Sequence, residues 1–575
     1  MMKRISLLLS CCFVINMLMA VPARRVRFVA NQIDGSQIAL TLCGDEHLHY
    51  YLTDDAQPVL CAEDGGYYHA NINVMGHLSP SAVLAHEPKD RDKIEDNFLN
   101  VRGDVGQMMA QVRSKSRMWR VAATRSASVS RSAFMGTKRA LVILAQFSDC
   151  KFTVPNVKSY YQEVLNGSGA PQYDIPASVN RYFCDQSNGL FDMQFDVVGP
   201  VTVSNKVSYY GSNNSWGDDL HPEKMVEEAI RLSSSQVDFS KYDWDNDGSV
   251  DQIFVLYAGY SEAQNAPSYT IWPHAYYLSY AGVTPPVFNG VKIDAYACSS
   301  ELSGKSGTIP DGIGTFCHEF SHNLGLPDLY DIDYSGGYGM YIWSLMDAGC
   351  YCGPNLRGEV PCNYTGYERW LCGWAELTEL TEGCKIDNMP SVSENGPTYM
   401  VRNRSYSDEY YLLENRQQMG WDAHLPAHGL LVMHVDYDRK AWLDNTVNDV
   451  RGHQRFVAVP ADNTMVQSFN GCKGDLYPGS AGNTSLTDSS TPAATLYHAN
   501  ADGRKFLGRP IEQITEDGNG RISFVFDGGE GNGINDIAAD KASSSAIYNL
   551  QGVRTGNNTN VSGVYVKNGR KIMVR

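Results

Sequence analysis

One stretch of the chain has metal chemistry written into its spacing. The segment Thr315-Phe-Cys-His-Glu-Phe-Ser-His-Asn-Leu-Gly-Leu-Pro-Asp-Leu-Tyr-Asp331 contains His-Glu-x-x-His. On a helix, residues four apart share a face, so His318 and His322 can aim both imidazoles at one ion. Zinc takes imidazole nitrogens at about 2.0–2.1 Å and carboxylate oxygens at about 2.0–2.2 Å, which suits this pair. Glu319 lies beside the first histidine and can reach a water on the metal. Its role would be general base towards that water, then proton donor to a leaving amine. Gly325 stops the helix, because without a Cβ it can enter a left-handed conformation. Pro327 prevents the helix from resuming, and Asp328 can then swing in as third ligand. Asp331 competes with it for that role. Three protein ligands leave the fourth position to water or substrate, as catalytic zinc requires.

A second cluster is Asp243-Trp-Asp245-Asn-Asp247-Gly248-Ser-Val-Asp251. Carboxylates at alternate positions with a glycine at the sharp turn suit a hard cation, so Asp243, Asp245, Asp247 and Asp251 are candidate calcium ligands with a structural role. The twelfth position is Phe254 and not Glu, so the loop is not a complete EF-hand. The competing reading is an Asp/Gly-rich turn held by local hydrogen bonds.

These residues need a scaffold. The apolar runs 140–147 and 252–258 read as buried strands, and 223–232 has helical periodicity. Strands alternating with helices predict an α/β (α+β) catalytic domain over 138–375. Strands at 398–402, 410–414, 429–435 and 521–526, with turn-rich spacers, predict a β-sandwich-like domain over 376–528. Upstream, short strands at 26–29, 37–42, 49–52 and 67–70 make 24–100 a β-rich propeptide, closed by a charged helix or linker at 87–99. Residues 101–137 read as a basic, exposed connector, with Arg113, Lys115, Arg117, Arg120, Arg125 and Arg131 and no acid after Asp104. Such a connector between folded units is where proteases cut. A glycine-rich hinge at 528–533 leads to a tail, 533–575.

The chain has 575 residues and a net charge of −17, which argues against a nucleic-acid partner. Lys3 and Arg4 precede an apolar run from Ile5 to Met19, and small residues follow at Ala20 and Ala23. That order predicts a secretory signal peptide over 1–23, cut after Ala20 or Ala23. The run is shorter than the roughly 20 residues that span a bilayer, and no other segment could do so. Of the 14 cysteines, Cys11 and Cys12 leave with the leader, and an even number remains for an oxidising compartment. Their connectivity is not readable. Protein or peptide substrates outside the cell or at its surface are the expected partners.

His-Glu-x-x-His-x-x-Gly-x-x-Asp followed by Trp343-Ser-Leu-Met346-Asp-Ala-Gly349 resembles the metzincin signature with its Met-turn. In detail it resembles the immune inhibitor A family of secreted bacterial zinc metalloproteases, in which aspartate can replace the third histidine. The likeness extends over Ala140 to Asp149, Asp243 to Gly259, and Glu414-Asn-Arg-Gln through His434-Val-Asp436. It implies a secreted zinc endopeptidase made as a zymogen, with Met346 packed beneath the metal. It also implies a tyrosine assisting the transition state, for which Tyr330, Tyr341 and Tyr351 are candidates. Cys317, directly before the first histidine, departs from the usual pattern. Two other classes share these features: a non-catalytic surface adhesin on a protease scaffold, and a zinc hydrolase of non-peptide amides. For latency, Cys43-Gly44-Asp45 is a candidate plug, and the competing reading, which we prefer, is that Cys43 pairs with Cys61 or is merely buried. The tail, Ala546 to Arg554 and Gly563 to Arg575, resembles the C-terminal sorting domains of Bacteroidetes secreted proteins, implying recognition by a type IX export machinery.

Overall fold

The computed structural model describes residues 19–529, except 63, 74–75, 118–133, 215–216 and 333–335, together with four short strands of the tail. Most of the expected leader (1–18), the later part of the basic connector and most of the hinge lie outside the described residues.

The strand Gly136–Gln146 shows why the central sheet forms. Its residues Ala140 to Ala145 are all fully buried. Ala140, Val142 and Leu144 point into one core cluster, and Leu141, Ile143 and Ala145 into another on the opposite face. A strand covered on both sides reads as an unbroken apolar run. It sits in a six-stranded sheet of order Met19–Ala20, His274–Tyr277, Ala295–Ser300, Ile253–Tyr257, Gly136–Gln146 and Phe191–Thr202. The last four are mutually parallel, whereas His274–Tyr277 runs antiparallel to its neighbour. The helix Gly314–His322 lies against this sheet, with Phe316 stacked on Phe254 at 3.8 Å between ring centroids.

Downstream, a five-stranded sheet runs in the order Leu377–Glu379, Thr398–Arg402, Glu409–Arg416, Gly429–Asp436 and Phe456–Ala458. One face shares a core with the three-stranded sheet Cys384–Met389, Ile522–Phe526 and Ile511–Glu516, through Tyr411, Leu413, Leu430 and Val432. Its other face, with Tyr410, Leu412, Leu431, Met433 and Val435, enters the same core as the helix Gly314–His322. The two regions therefore share one hydrophobic interior.

The N-terminal unit is a six-stranded antiparallel meander from Arg27–Asn31 to Leu78–Leu84. It includes the strands Pro58–Cys61 and Leu78–Leu84, which sequence reading missed. The connector expected from residue 101 is corrected in its first part: Val105–Arg117 is a helix. Its Met108, Met109 and Val112 pack on Cys43, Leu48 and Tyr50. The basic composition concealed an apolar stripe at helical spacing. The tail strands form a four-stranded sheet, Arg554–Thr555, Ile547–Asn549, Gly563–Lys567 and Arg570–Val574. Among the described residues, no helix is long and apolar enough to cross a membrane.

Candidate metal centre and cleft

The helix Gly314–His322 turns His318, Glu319 and His322 away from bulk water, with His318 and Glu319 fully buried. His318 Nδ1 donates to Leu345 O at 2.8 Å and His322 Nδ1 to Leu326 O at 2.9 Å. Both Nε2 atoms are thereby left as acceptors, and they face each other at 3.1 Å. Asp328 Oδ1 stands 3.2 Å from one and 3.4 Å from the other. It is buried and finds no hydrogen-bond donor. A tetrahedral ion with bonds of about 2.0–2.1 Å holds its ligand atoms about 3.3–3.4 Å apart, so this donor set fits zinc in both type and spacing. Burial pulls the His318 pKa down, which keeps its imidazole neutral. Burial opposes the charge on Asp328, but His322 and His318 outweigh it and hold the carboxyl down at about 2. Both shifts run in the direction that zinc ligation favours, a neutral His318 and an ionised Asp328.

The turn that brings Asp328 inward begins at Gly325, whose φ is +91°. A Cβ there would meet nothing within 4 Å, so the backbone conformation alone requires glycine. Asp331 does not join the cluster; its Oδ2 accepts the N–H of Gly337 at 2.8 Å. Met346 is fully buried, and its carbonyl accepts the Leu329 N–H at 2.8 Å. The Met-turn thus fixes one histidine through Leu345 O and the aspartate strand through Met346 O.

Sequence reasoning missed the residues that clamp this turn from the C-terminal sheets. Asn445 accepts the Asp328 N–H at 2.7 Å and donates to Asp328 Oδ2 at 2.6 Å. Asn448 donates to Leu329 O at 2.7 Å. Asp475 Oδ2 accepts from Tyr338 OH and Trp343 Nε1, each at 2.7 Å. Arg416, fully buried and bidentate to Asp422 at 2.7 Å, also donates to Trp343 O at 3.0 Å. These partners lie 73–137 positions from the residues they hold, and no local pattern announces them.

Residues 19–25, expected largely within the leader, lie in the cleft. Met19 and Ala20 pair antiparallel with Ala275 and His274 at the sheet edge. The Val21 N–H donates to Glu319 Oε1 at 2.8 Å, and Tyr330 OH donates to Ala20 O at 2.7 Å. One peptide link is therefore held at its carbonyl by a tyrosine and at its nitrogen by the glutamate. Tyr351 OH donates to Pro22 O at 2.8 Å. Burial pushes the Glu319 carboxyl well above the usual range, and the Asp328 charge adds to it.

The candidate plug is corrected. Cys43 is buried in the core of the N-terminal unit, Cys61 is exposed, and the two are unbonded. Asp45 Oδ1 caps its own turn, accepting from His47 N and Leu48 N. Glu46 is the acid of that turn that couples to Glu319, and burial, with the charges of Asp45 and Asp328 adding to it, pushes it up to about 8. In the acidic loop the carboxylates of Asp243, Asp245 and Asp247 converge within 4.8 Å of one another. Asp251 departs from the expected set: its carboxylate accepts the Trp244 N–H and stands outside that cluster.

Residues 133–372 match the family described as immune inhibitor A peptidase M6, catalytic domain. Among curated proteins, immune inhibitor A of Bacillus thuringiensis subsp. alesti is 25% identical over 287 residues, covering 42% of this chain and 41% of that protein. The pre-pro-metalloprotease PrtV of Vibrio cholerae serotype O1, strain M66-2, is 26% identical over 243 residues, covering 37% of this chain and 25% of its own. The chain thus aligns with less than half the length of either relative. The matched span contains the helix Gly314–His322 and the Met-turn, so residues 133–372 are similar to the catalytic domain of the immune inhibitor A peptidases over the part of the chain that carries the convergent ligand atoms.

Proposed function

We propose that the chain is a secreted zinc-dependent endopeptidase held latent by its own N-terminal segment. The observation that carries the reading is the Ala20–Val21 peptide link, bound by Tyr330 and Glu319 beside three convergent ligand atoms. His318, His322 and Asp328 would hold the ion, which when bound supplies Lewis acidity to a substrate carbonyl. Glu319, buried and strongly proton-accepting, takes a proton from the attacking water and returns it to the leaving nitrogen. Tyr330 donates to the carbonyl oxygen as negative charge develops there. The sheet-edge strand His274–Tyr277 aligns an extended polypeptide by main-chain pairing, which favours peptide over small-amide substrates. Latency follows from occupancy, because residues 19–25 take the place a substrate backbone would use, and it requires the leader to be cut upstream of Met19 and not after Ala20 or Ala23.

Calcium in the loop of Asp243, Asp245 and Asp247 would neutralise three carboxylates just before the strand Ile253–Tyr257. Recognition of the tail by a type IX export machinery belongs to the same reading of a secreted or surface-bound enzyme.

The test is casein hydrolysis by the processed protein beside Glu319→Ala and beside wild type with a zinc chelator. Loss of hydrolysis in both controls is expected. Full hydrolysis by Glu319→Ala would remove the assigned base, and a processed, zinc-loaded wild type that cut nothing would return the adhesin reading to the front.

A further inference from the structure

The N-terminal segment also reveals what the cleft selects. Beyond the Ala20–Val21 link, the Ala23 N–H donates to Gly44 O at 2.7 Å and the Arg24 N–H to Ala263 O at 2.8 Å. The segment is held along its backbone, so each side chain has a defined place. That of Arg24 enters a polar recess of the catalytic domain. Its Nη1 donates to Gln264 Oε1 at 3.3 Å and Ser303 Oγ at 3.2 Å, and its Nη2 to Asn355 O at 3.0 Å. All three partners are neutral acceptors. Burial pulls the Arg24 pKa down, and the charges of Asp311 and Glu359 offset part of that cost, against the neighbouring cation Arg357. Arg357 is itself committed to Glu359 at 2.8 Å.

Asp311 is the telling residue. It is buried; its Oδ2 accepts from Thr315 Oγ1 at 3.3 Å, its Oδ1 has no hydrogen-bond partner, and the cation that acts on it is the incoming Arg24. A buried carboxylate with one oxygen unbonded is costly, and a cation entering beside it relieves that cost. Gln264 is shared: its Oε1 also accepts from Ser303 Oγ at 2.8 Å and Gly304 N at 3.1 Å, which orients it towards the recess. Acceptors fixed in advance, with two carboxylates behind them, suit a guanidinium or an ammonium and reject an acid.

We infer that the recess formed by Gln264, Ser303, Asn355 and Asp311 is a cation subsite of the cleft, selecting Arg or Lys at the fourth residue after the cut in substrates. The register comes from the Ala20–Val21 link, which places Val21 first and Arg24 fourth beyond it. The inference rests on the endopeptidase reading for its use by substrates, but not for the recess itself. The N-terminal segment exploits the same subsite to stay in place.

Two arms separate these claims. In the full chain, amide hydrogen exchange at Val21, Ala23 and Arg24 reports how firmly the segment is held. Exchange is expected to quicken about tenfold or more in Arg24→Ala and in Asp311→Asn, and to recover in Arg24→Lys. Unchanged exchange in both variants would overturn the subsite. In the second arm, cleavage sites in casein digested by the processed protein are mapped by mass spectrometry. Enrichment of Arg and Lys at the fourth residue after the cut is expected, with loss of that enrichment in Asp311→Asn. Cleavage without enrichment would overturn the substrate role. Absence of cleavage would overturn the endopeptidase reading, and the exchange arm would still decide the recess.

Discussion

The N-terminal meander and the C-terminal sheets both dock on the catalytic domain, but by different physics. The C-terminal sheet buries Tyr410, Leu412, Leu431, Met433 and Val435 in the core that also holds Phe316, Phe320 and Met346. The same region adds buried polar clamps, Arg416 and Asp475 on Trp343 of the Met-turn and Asn445 on Asp328. The N-terminal unit keeps two small cores of its own and lends the shared one Leu42, with Tyr51 packed beside it. It meets the catalytic domain mainly through polar pairs, such as His47 with Asp218 at 2.9 Å and His49 with Glu262 at 3.0 Å, and through the cleft segment. A shared apolar core is permanent, whereas a polar interface with separate cores can part without unfolding either side. The lesson is that the C-terminal sheets share the catalytic domain's interior, while the N-terminal unit is attached in the way the proposed detachable guard requires.

The sharpest way to break this comparison is Arg416→Ala. It strands Glu414 and Asp422, both fully buried, and releases Trp343 O. Removing one partner of a buried charge network costs about 3–5 kcal/mol. Urea unfolding of the processed protein should show that loss in a single transition covering both regions. Two separate transitions, with the catalytic one unmoved, would mean that the sheets are an independent domain.

A smaller effect is expected from Asn445→Ala. It leaves every ligand in place but frees Asp328 from its bidentate partner. Loss of a residue that orients a metal ligand costs about 10–100-fold in metal affinity. Zinc competition against a chromophoric chelator measures it directly. Unchanged affinity with unchanged folding would confine the sheets to a packing role.

The sequence made the metal chemistry legible because its spacing is local: His318, Glu319 and His322 lie on one helix, and Gly325 with Asp328 on the turn that follows. Strands buried on both faces were legible for the same reason, as apolar runs. What stayed hidden depends on long-range pairing. Asn445 is 117 positions from Asp328, and Val21 is 298 from Glu319. The segment 19–25 was hidden twice over, since its small and apolar residues also fit the end of a leader. The helix Val105–Arg117 was masked by its basic composition, although Met108, Met109 and Val112 carried the apolar stripe.

The smallest expected effect lies at the guard's polar interface and depends on pH. His49 is flanked by Glu262 at 3.0 Å, Asn213 Nδ2 at 3.3 Å and Asp45 O at 3.2 Å, with its ring stacked on Trp272. Burial alone would lower its pKa, but the Glu262 charge and the hydrogen bonds outweigh it and hold the imidazolium up to about 9. A group raised above its free value near 6.5 contributes fully below that value and loses its contribution as pH climbs through about 9. The His49–Glu262 pair should therefore bind the guard most firmly at pH 6 and most weakly above pH 9. Amide exchange in the strand His49–Thr53 of the full chain, corrected for intrinsic rate, should rise across that window and flatten in His49→Gln. A profile that keeps its slope in His49→Gln would assign the pH dependence to another pair, with His47 and Asp218 the next to test.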